Sequence, residues 1–382
     1  MTTPATYGDP IAVTGMAWDT ALGREVEDVW QLLLTGADGF REVPSASPVR
    51  NPLAARLADA VPDGPLRHQY VTVTAAVARR ALADAGVAGD PELHPVLGTS
   101  LGPHADSTAT GSLYTWAEDA GRALGTAHRP IAVSTACSAG SDALSIAGTL
   151  LRTGLADRCV AGGVDLLSPA KRLGHSGMGV MSAGVLRPFD ADRDGTLPGE
   201  GAAFLVLERL STARGRGARV HGILAGWGAS NSGTSLNEPD ASGAAGARAV
   251  LHSLAAGRCA PGEVACVSMH GTGTVTNDAA EAELLRQVFG RAPAPVVVAT
   301  KGALGHTLGA SGAIDTIVAL LALRDQVAPP VTQLRTAMAD FPLPLPIGGP
   351  APVTGEFALN VTLGVGGFNT CLLLRRGDSR QP

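Results

Sequence analysis

The chain has 382 residues and a mass of 38.5 kDa, room for one large domain or two to three of average size. Hydrophobic residues make up 45% and charged residues 16%, well under the roughly 25% charged share of ordinary globular chains; this excludes a disordered or coiled-coil chain and implies a large core. The net charge of −5 gives no overall basic field for nucleic acid. No apolar run is long enough for a membrane span. The opening MTTPATYGDP lacks the basic and apolar regions of a secretory signal, so a soluble cytoplasmic protein is expected. Cysteines 137, 159, 259, 266 and 371 form no C-x-x-C pair, which speaks against a disulfide framework or a zinc site. Of 29 basic residues only Lys171 and Lys301 are lysines.

In chain order, Ile11–Met16 reads as a strand and Val26–Leu34 as a helix. Thr72–Ala85 is an Ala-rich helix stopped at Gly86. Short strands at His94–Leu97 and Ile131–Val133 run into GTSLG and STACSAGSDAL. A weakly polar helix follows from about Cys137 to Leu151, stopped at Gly154. Cys159–Val164 and Gly201–Glu208 are strands. The rhythm then repeats: strand Val220–Leu224, helix Ala244–Ala255, strand Val264–Met269, helix Ala279–Val288, strand Val296–Ala299, apolar helix Gly312–Leu323, and strands Ala358–Val361 and Thr370–Leu374. Alternating strands and helices predict α/β layers, and helices this apolar belong between sheets. Arg209–Arg219 is the expected junction, dividing the chain into residues 1–219 and 220–382.

Cys137 lies where a strand-like stretch meets a helix of small residues. The free N–H groups and dipole of a helix N-terminus favour a thiolate there. Three later loops follow strands: His270-Gly-Thr-Gly-Thr, Lys301-Gly-Ala-Leu-Gly-His306 and Leu363-Gly-Val-Gly-Gly. Ligands in open α/β sheets bind beyond such strand ends. Taken together with Cys137, these loops predict a converging site. Gly98-Thr-Ser100-Leu-Gly102 has the form of a serine nucleophile elbow, but no motif marks its partners. Lys171, beside Arg172, reads as solvated, and the other four cysteines read as structural.

STACSAGSDAL, RPFDADRDGTLPGEGAAFLVLE, HGTGTVTND, KGALGHTLGASG and LGVGG, in this order, resemble the β-ketoacyl–acyl-carrier-protein synthases, along nearly the whole chain. The resemblance implies the α/β thiolase fold, with two related halves in five α-β-α-β-α layers. It makes Cys137 the acyl-accepting nucleophile, His270 and His306 the paired histidines, and Lys301 and Glu281 their supporting charges. Thr272, Thr274, Val365 and Gly366 would line the substrate site, and the N–H groups of Cys137 and Val365 would form an oxyanion hole. The implied reaction is decarboxylative condensation with a malonyl thioester, without metal or organic cofactor. Acyl carrier protein bearing acyl and malonyl thioesters would be the partner. The oligomer would be a homodimer, or a heterodimer with a ketosynthase-like chain.

The sequence departs from the family at Val365 and Leu363, where the family has phenylalanines, and in Thr196-Leu-Pro198. It also looks shorter between Gly98 and Cys137. These departures point to a specialised secondary-metabolite member. Two alternatives stay open on the same scaffold: a non-condensing acyltransferase and a non-catalytic chain-length partner subunit.

Overall fold

The computed structural model describes residues 8–59, 61, 63–106, 112–290 and 293–377. Residues 1–7 of the opening segment and 107–111 of the short Gly98–Cys137 stretch lie outside the described residues.

The first half of the chain provides β1 (Ile11–Asp19), α1 (Leu66–Asp84), β2 (His94–Gly98), α2 (Thr115–Leu124), β3 (Ile131–Val133), α3 (Ala139–Thr153), β4 (Arg158–Asp165) and β5 (Gly201–Arg209). The second provides β6 (Gly222–Asn231), α4 (Ala244–Gly257), β7 (Val264–Ser268), α5 (Val275–Phe289), β8 (Val296–Val298), α6 (Ser311–Asp325), β9 (Phe357–Gly364) and β10 (Phe368–Arg376). The strands run in the order β8-β7-β9-β10-β6-β1-β5-β4-β2-β3. Read outward from the centre, each half has the same sequence of pairings, two antiparallel and then two parallel. The halves are joined by a short antiparallel contact, Ile11 to Val13 against Leu224 to Gly222.

α1 and α2 cover one outer face and α4 and α5 the other, while α3 and α6 lie between the two sets of strands and touch both. This is the five-layered thiolase arrangement. The composition of the middle helices explains their place. Every residue of α6 from Ser311 to Leu323 is buried, and a helix apolar on all sides needs cover all round. The buried residues of α3 are mostly Ala, Gly and Ser, which let neighbours approach closely. A Cβ on Gly163 would sit 2.1 Å from the Gly309 carbonyl oxygen, and one on Gly140 2.8 Å from the same atom.

The strands expected from sequence all form. The nucleophile segment differs in detail: Cys137 sits in a 3-10 turn, Ala136–Ser138, and α3 begins at Ala139. α2 and the helix Pro169–Gly177 were not expected. The second carries a start signal, since Ser168 caps it and Pro169 follows.

Because Gly163 meets backbone rather than a movable side chain, Gly163→Ala is expected to cost about 1–3 kcal/mol. Urea unfolding of the variant beside the parent measures this; equal midpoints would show that the two backbones can separate freely.

Candidate active site

Cys137, His270 and His306 come from loops of both halves and converge. One nitrogen of each imidazole and the sulfur all lie within 4.8 Å of one another. His306 Nε2 is 3.1 Å from Cys137 Sγ, and the two imidazoles meet edge to face with centroids 5.1 Å apart. All three residues are buried.

Local chemistry fixes each one. Ala136 has φ of +53°, a left-handed conformation that costs an L-residue on the order of 1–2 kcal/mol. The bend is held by Asp142 in the first turn of α3, which accepts the hydroxyls of Thr135, Ser138 (2.8 Å) and Thr370. The backbone of His306 is threaded along the Thr196–Gly199 segment: its N–H donates to Leu197 O at 2.8 Å, and Gly199 N–H donates to its carbonyl at 2.9 Å. The Leu308 N–H points at His306 Nδ1 (3.4 Å), which assigns the ring hydrogen to Nε2, facing the sulfur.

His270 stands on the loop after β7. Glu281 on α5 accepts the N–H groups of His270 (2.6 Å) and Gly271 (2.7 Å), and the side-chain amide of Asn277 (2.8 Å). One turn earlier, Asp278 accepts the N–H groups of Phe189 (2.7 Å) and Gly273 (3.1 Å). Thr274 caps α5 through Asn277 N–H, and its hydroxyl is 3.0 Å from that of Thr272. Lys301 is buried with Nζ 3.5 Å from Asp315, which also accepts the Thr300 hydroxyl at 2.6 Å. Asp315, Asp278 and Asn277 were missed in the sequence; the D-x-x-E spacing that puts Asp278 and Glu281 on one helix face was the available signal.

The fourth loop is the hairpin between β9 and β10. The Val365 N–H and the N–H of Cys137 itself face the thiol, while the Val365 side chain is exposed. Gly366 donates to Leu236 O at 2.8 Å and has φ of +89°. Its Cα face lies against the Phe368 ring, where a Cβ would come 3.0 Å from Cε2. The aromatic group absent from position 365 is thus present three residues later.

Electrostatics corrects one expectation. Burial pushes the Cys137 thiol up to about 11, against the lowering effects of Lys301 and of the two N–H groups. The turn before α3 therefore does not by itself yield a thiolate at neutral pH. Burial also holds His270 and His306 well below the ordinary histidine range, and the Lys301 charge adds to this. Both imidazoles are neutral. Burial, with the nearby Asp278, pushes Glu281 up to about 8.

One sulfur and two nitrogens are a conceivable metal set. Here they face the Lys301 ammonium, which opposes a cation, and the sulfur already takes a hydrogen bond from His306. The arrangement reads as a nucleophile with neutral N–H donors.

Two other expectations are settled by contacts. Lys171 is not solvated: it is buried and ion-paired with Asp165. Ser100 is held through its backbone, its N–H on Asp165 (2.8 Å) and its carbonyl under the Ser134 hydroxyl (2.6 Å), the contacts of a structural turn.

Comparison with known proteins shows the family of the chain. The "Beta-ketoacyl synthase, N-terminal domain" family matches residues 8–70 and 120–213, and the "Beta-ketoacyl synthase, C-terminal domain" family matches 221–335. The chain belongs to the β-ketoacyl synthase family. It is 31% identical to a Mycobacterium bovis "3-oxoacyl-[acyl-carrier-protein] synthase 2" over 96% of this chain and 97% of that protein. It is 28% identical to the Rhizobium meliloti protein of the same name, over 96% and 98%. Among solved structures, a Burkholderia phymatum β-ketoacyl synthase superposes with TM-score 0.88 at 27% identity, covering 97% of this chain and all of that one. "The ishigamide ketosynthase/chain length factor" gives 0.87 at 28%, covering 97% and 99%. This ketosynthase is accordingly an acyltransferase-type enzyme of fatty-acid or polyketide-type synthesis. Residues 71–119, unmatched by the family, overlap the stretch that reads as short. No helix among the described residues is long and apolar enough to cross a membrane.

Alkylation of Cys137 by iodoacetamide, followed by intact mass, is expected to accelerate with pH to a midpoint near 11. A midpoint at or below the ordinary thiol value of about 8.5 would show that Lys301 and the N–H groups outweigh burial.

Proposed function

We propose that this ketosynthase catalyses decarboxylative condensation between an acyl chain on Cys137 and a malonyl group, both delivered as carrier-protein thioesters. The observation that carries this reading is the 3.1 Å contact between Cys137 Sγ and His306 Nε2, with neutral His270 alongside. The sulfur attacks the acyl thioester carbonyl, its proton leaves with the carrier thiol, and an S–C bond forms. The N–H groups of Cys137 and Val365 face the developing oxyanion. The malonyl thioester then loses CO₂, and the electron pair of the broken C–C bond moves into an enolate. The Nε2–H of His306 and an N–H of His270 donate to its oxygen. The carbanion attacks the acyl–Cys137 carbonyl, the C–S bond breaks with its electron pair on sulfur, which takes a proton from solvent to restore the thiol, and the β-ketoacyl chain leaves on the carrier. Glu281 fixes the His270 loop, burial together with the Lys301 charge keeps both imidazoles neutral, and Thr272, Thr274, Val365 and Gly366 border the substrate channel. No step calls for a metal or an organic cofactor.

The exchange of aromatic positions between 365 and 368 and the unmatched 71–119 segment support a specialised, secondary-metabolite role. The repeated strand order supports residues 1–219 and 220–382 as the two related halves. β3 ends the sheet and leaves Ile131 exposed, an edge that invites pairing. We assign it to the contact between two copies, or with a ketosynthase-like partner. Ile131→Lys is expected to shift the molar mass in light scattering from dimer to monomer; an unchanged mass would move the interface elsewhere.

The decisive experiment is intact mass spectrometry with an acyl-carrier panel followed by malonyl-carrier. We expect an adduct that Cys137→Ala abolishes and that malonyl-carrier discharges with CO₂ release. Discharge by an amine or alcohol alone would replace condensation with simple acyl transfer. His270→Ala is expected to acylate normally and to slow condensation about 10²–10³-fold, the cost of one oxyanion donor.

A further inference from the structure

We propose that the buried Lys171–Asp165 pair is a positioning device for the nucleophile: Asp165 clamps the backbone beside His306, and Lys171 cancels the carboxylate's charge on the Cys137 sulfur. The proposal rests on the reading of Cys137 as nucleophile and adds a part that this reading does not use.

Asp165 ends β4 and is fully buried. Its Oδ2 accepts the N–H groups of Ser100 (2.8 Å) and Gly309 (2.7 Å). Its Oδ1 accepts the Tyr70 hydroxyl (2.9 Å), the Thr99 hydroxyl (3.2 Å) and the Lys171 ammonium. Gly309 follows Leu308, whose φ is +49° and whose N–H orients the His306 ring. The carboxylate therefore grips the residue next to the one that sets the imidazole. No side chain fits at 309, where a Cβ would meet Ser100 N at 2.6 Å and Asp165 Oδ2 at 2.7 Å.

The choice of lysine has a physical reason in a chain where Lys301 is the one other lysine and the remaining 27 of 29 basic residues are arginines. An ammonium has three donors. Lys171 Nζ faces three acceptors: Asp165 Oδ1, the Tyr70 hydroxyl and the Leu166 carbonyl (3.1 Å). An arginine would bring five donors into the same closed space and leave some unsatisfied at a cost of about 1–3 kcal/mol each.

The charge acts on the sulfur. Around the thiol stand His306 and His270, Lys301 with Asp315, Glu281 behind His270, and Asp142 under the turn. Asp165, with Lys171, Tyr70 and His175 beyond it, completes the surroundings. Among these, Asp165 raises the thiol and Lys301 lowers it. Lys171→Met leaves the Asp165 carboxylate without its counter-charge.

The test is the pH–rate profile of Cys137 alkylation by iodoacetamide on the full chain, with circular dichroism to establish that each variant is folded. Lys171→Met is expected to raise the midpoint by about one pH unit, and Lys171→Met/Asp165→Asn to return it to or below the parent value. A folded Lys171→Met with the parent midpoint would overturn the proposal, because a purely structural pair would lower stability and leave the profile in place. Should Lys171→Met not fold, Asp165→Asn decides, because it leaves the Lys171 ammonium without its carboxylate: a midpoint below the parent is the expected result, and one at or above it refutes the proposal. Failure of the condensation reading would appear separately, as a parent enzyme that takes no acyl group from any carrier.

Discussion

The chemistry of this molecule depends on how closely two backbones approach in the middle layer. The carbonyl of Gly309 packs against the Cα atoms of Gly163 and Gly140, with no side chain between. That approach brings the segment after β8 against the turn before α3, and so brings an imidazole within hydrogen-bond reach of a sulfur 169 residues away in the chain. Interiors packed at crystal-like density transmit such a constraint without slack. The same dense burial sets the electrostatics. It keeps the thiol protonated and both histidines neutral at rest, so the site stores N–H donors rather than charges.

The strand order gives these donors a common origin. Each half repeats one pattern, and equivalent strands end in equivalent loops. β3 leads to Cys137 and its counterpart β8 to Lys301 and His306. β2 leads to Ser100 and β7 to His270. β4 ends in Asp165, and β9 runs to Val365. One half contributes the sulfur and the Asp165 carboxylate; the other contributes both imidazoles and the Val365 N–H. The site that α/β sheets generally form at the carboxyl ends of strands is here assembled from two such sets of ends, one from each half.

Much of this was legible in the residues. Short apolar strands stand out because many of them run into glycine-containing turns, and the small-residue helix after Cys137 betrays its place between sheets. The histidines were visible because each sits in a glycine-rich loop segment that follows such a strand, His270 directly and His306 beyond Lys301–Leu304. What escaped was the set of buried charges. Lys171, Asp165 and Tyr70 meet across separations of 6 and 95 residues, and a lysine beside an arginine reads as solvent-facing unless its partners are known. The thiol's ionisation was misjudged for a related reason: a helix start is a local signal, whereas the burial that opposes it comes from the whole fold. α2 was overlooked because half of its face is polar and nothing nearby in sequence announces the strands it covers.

The division of labour between the halves has a consequence during synthesis. A chain that has emerged only through β5 already carries its sulfur, but no imidazole, no lysine at 301 and no hairpin amide stand beside it. Acyl chemistry switches on only when the last strands, β9 and β10, have closed over the first half. A growing or half-assembled molecule thus carries a sulfur without its donors, and the complete constellation exists only in the full layered stack.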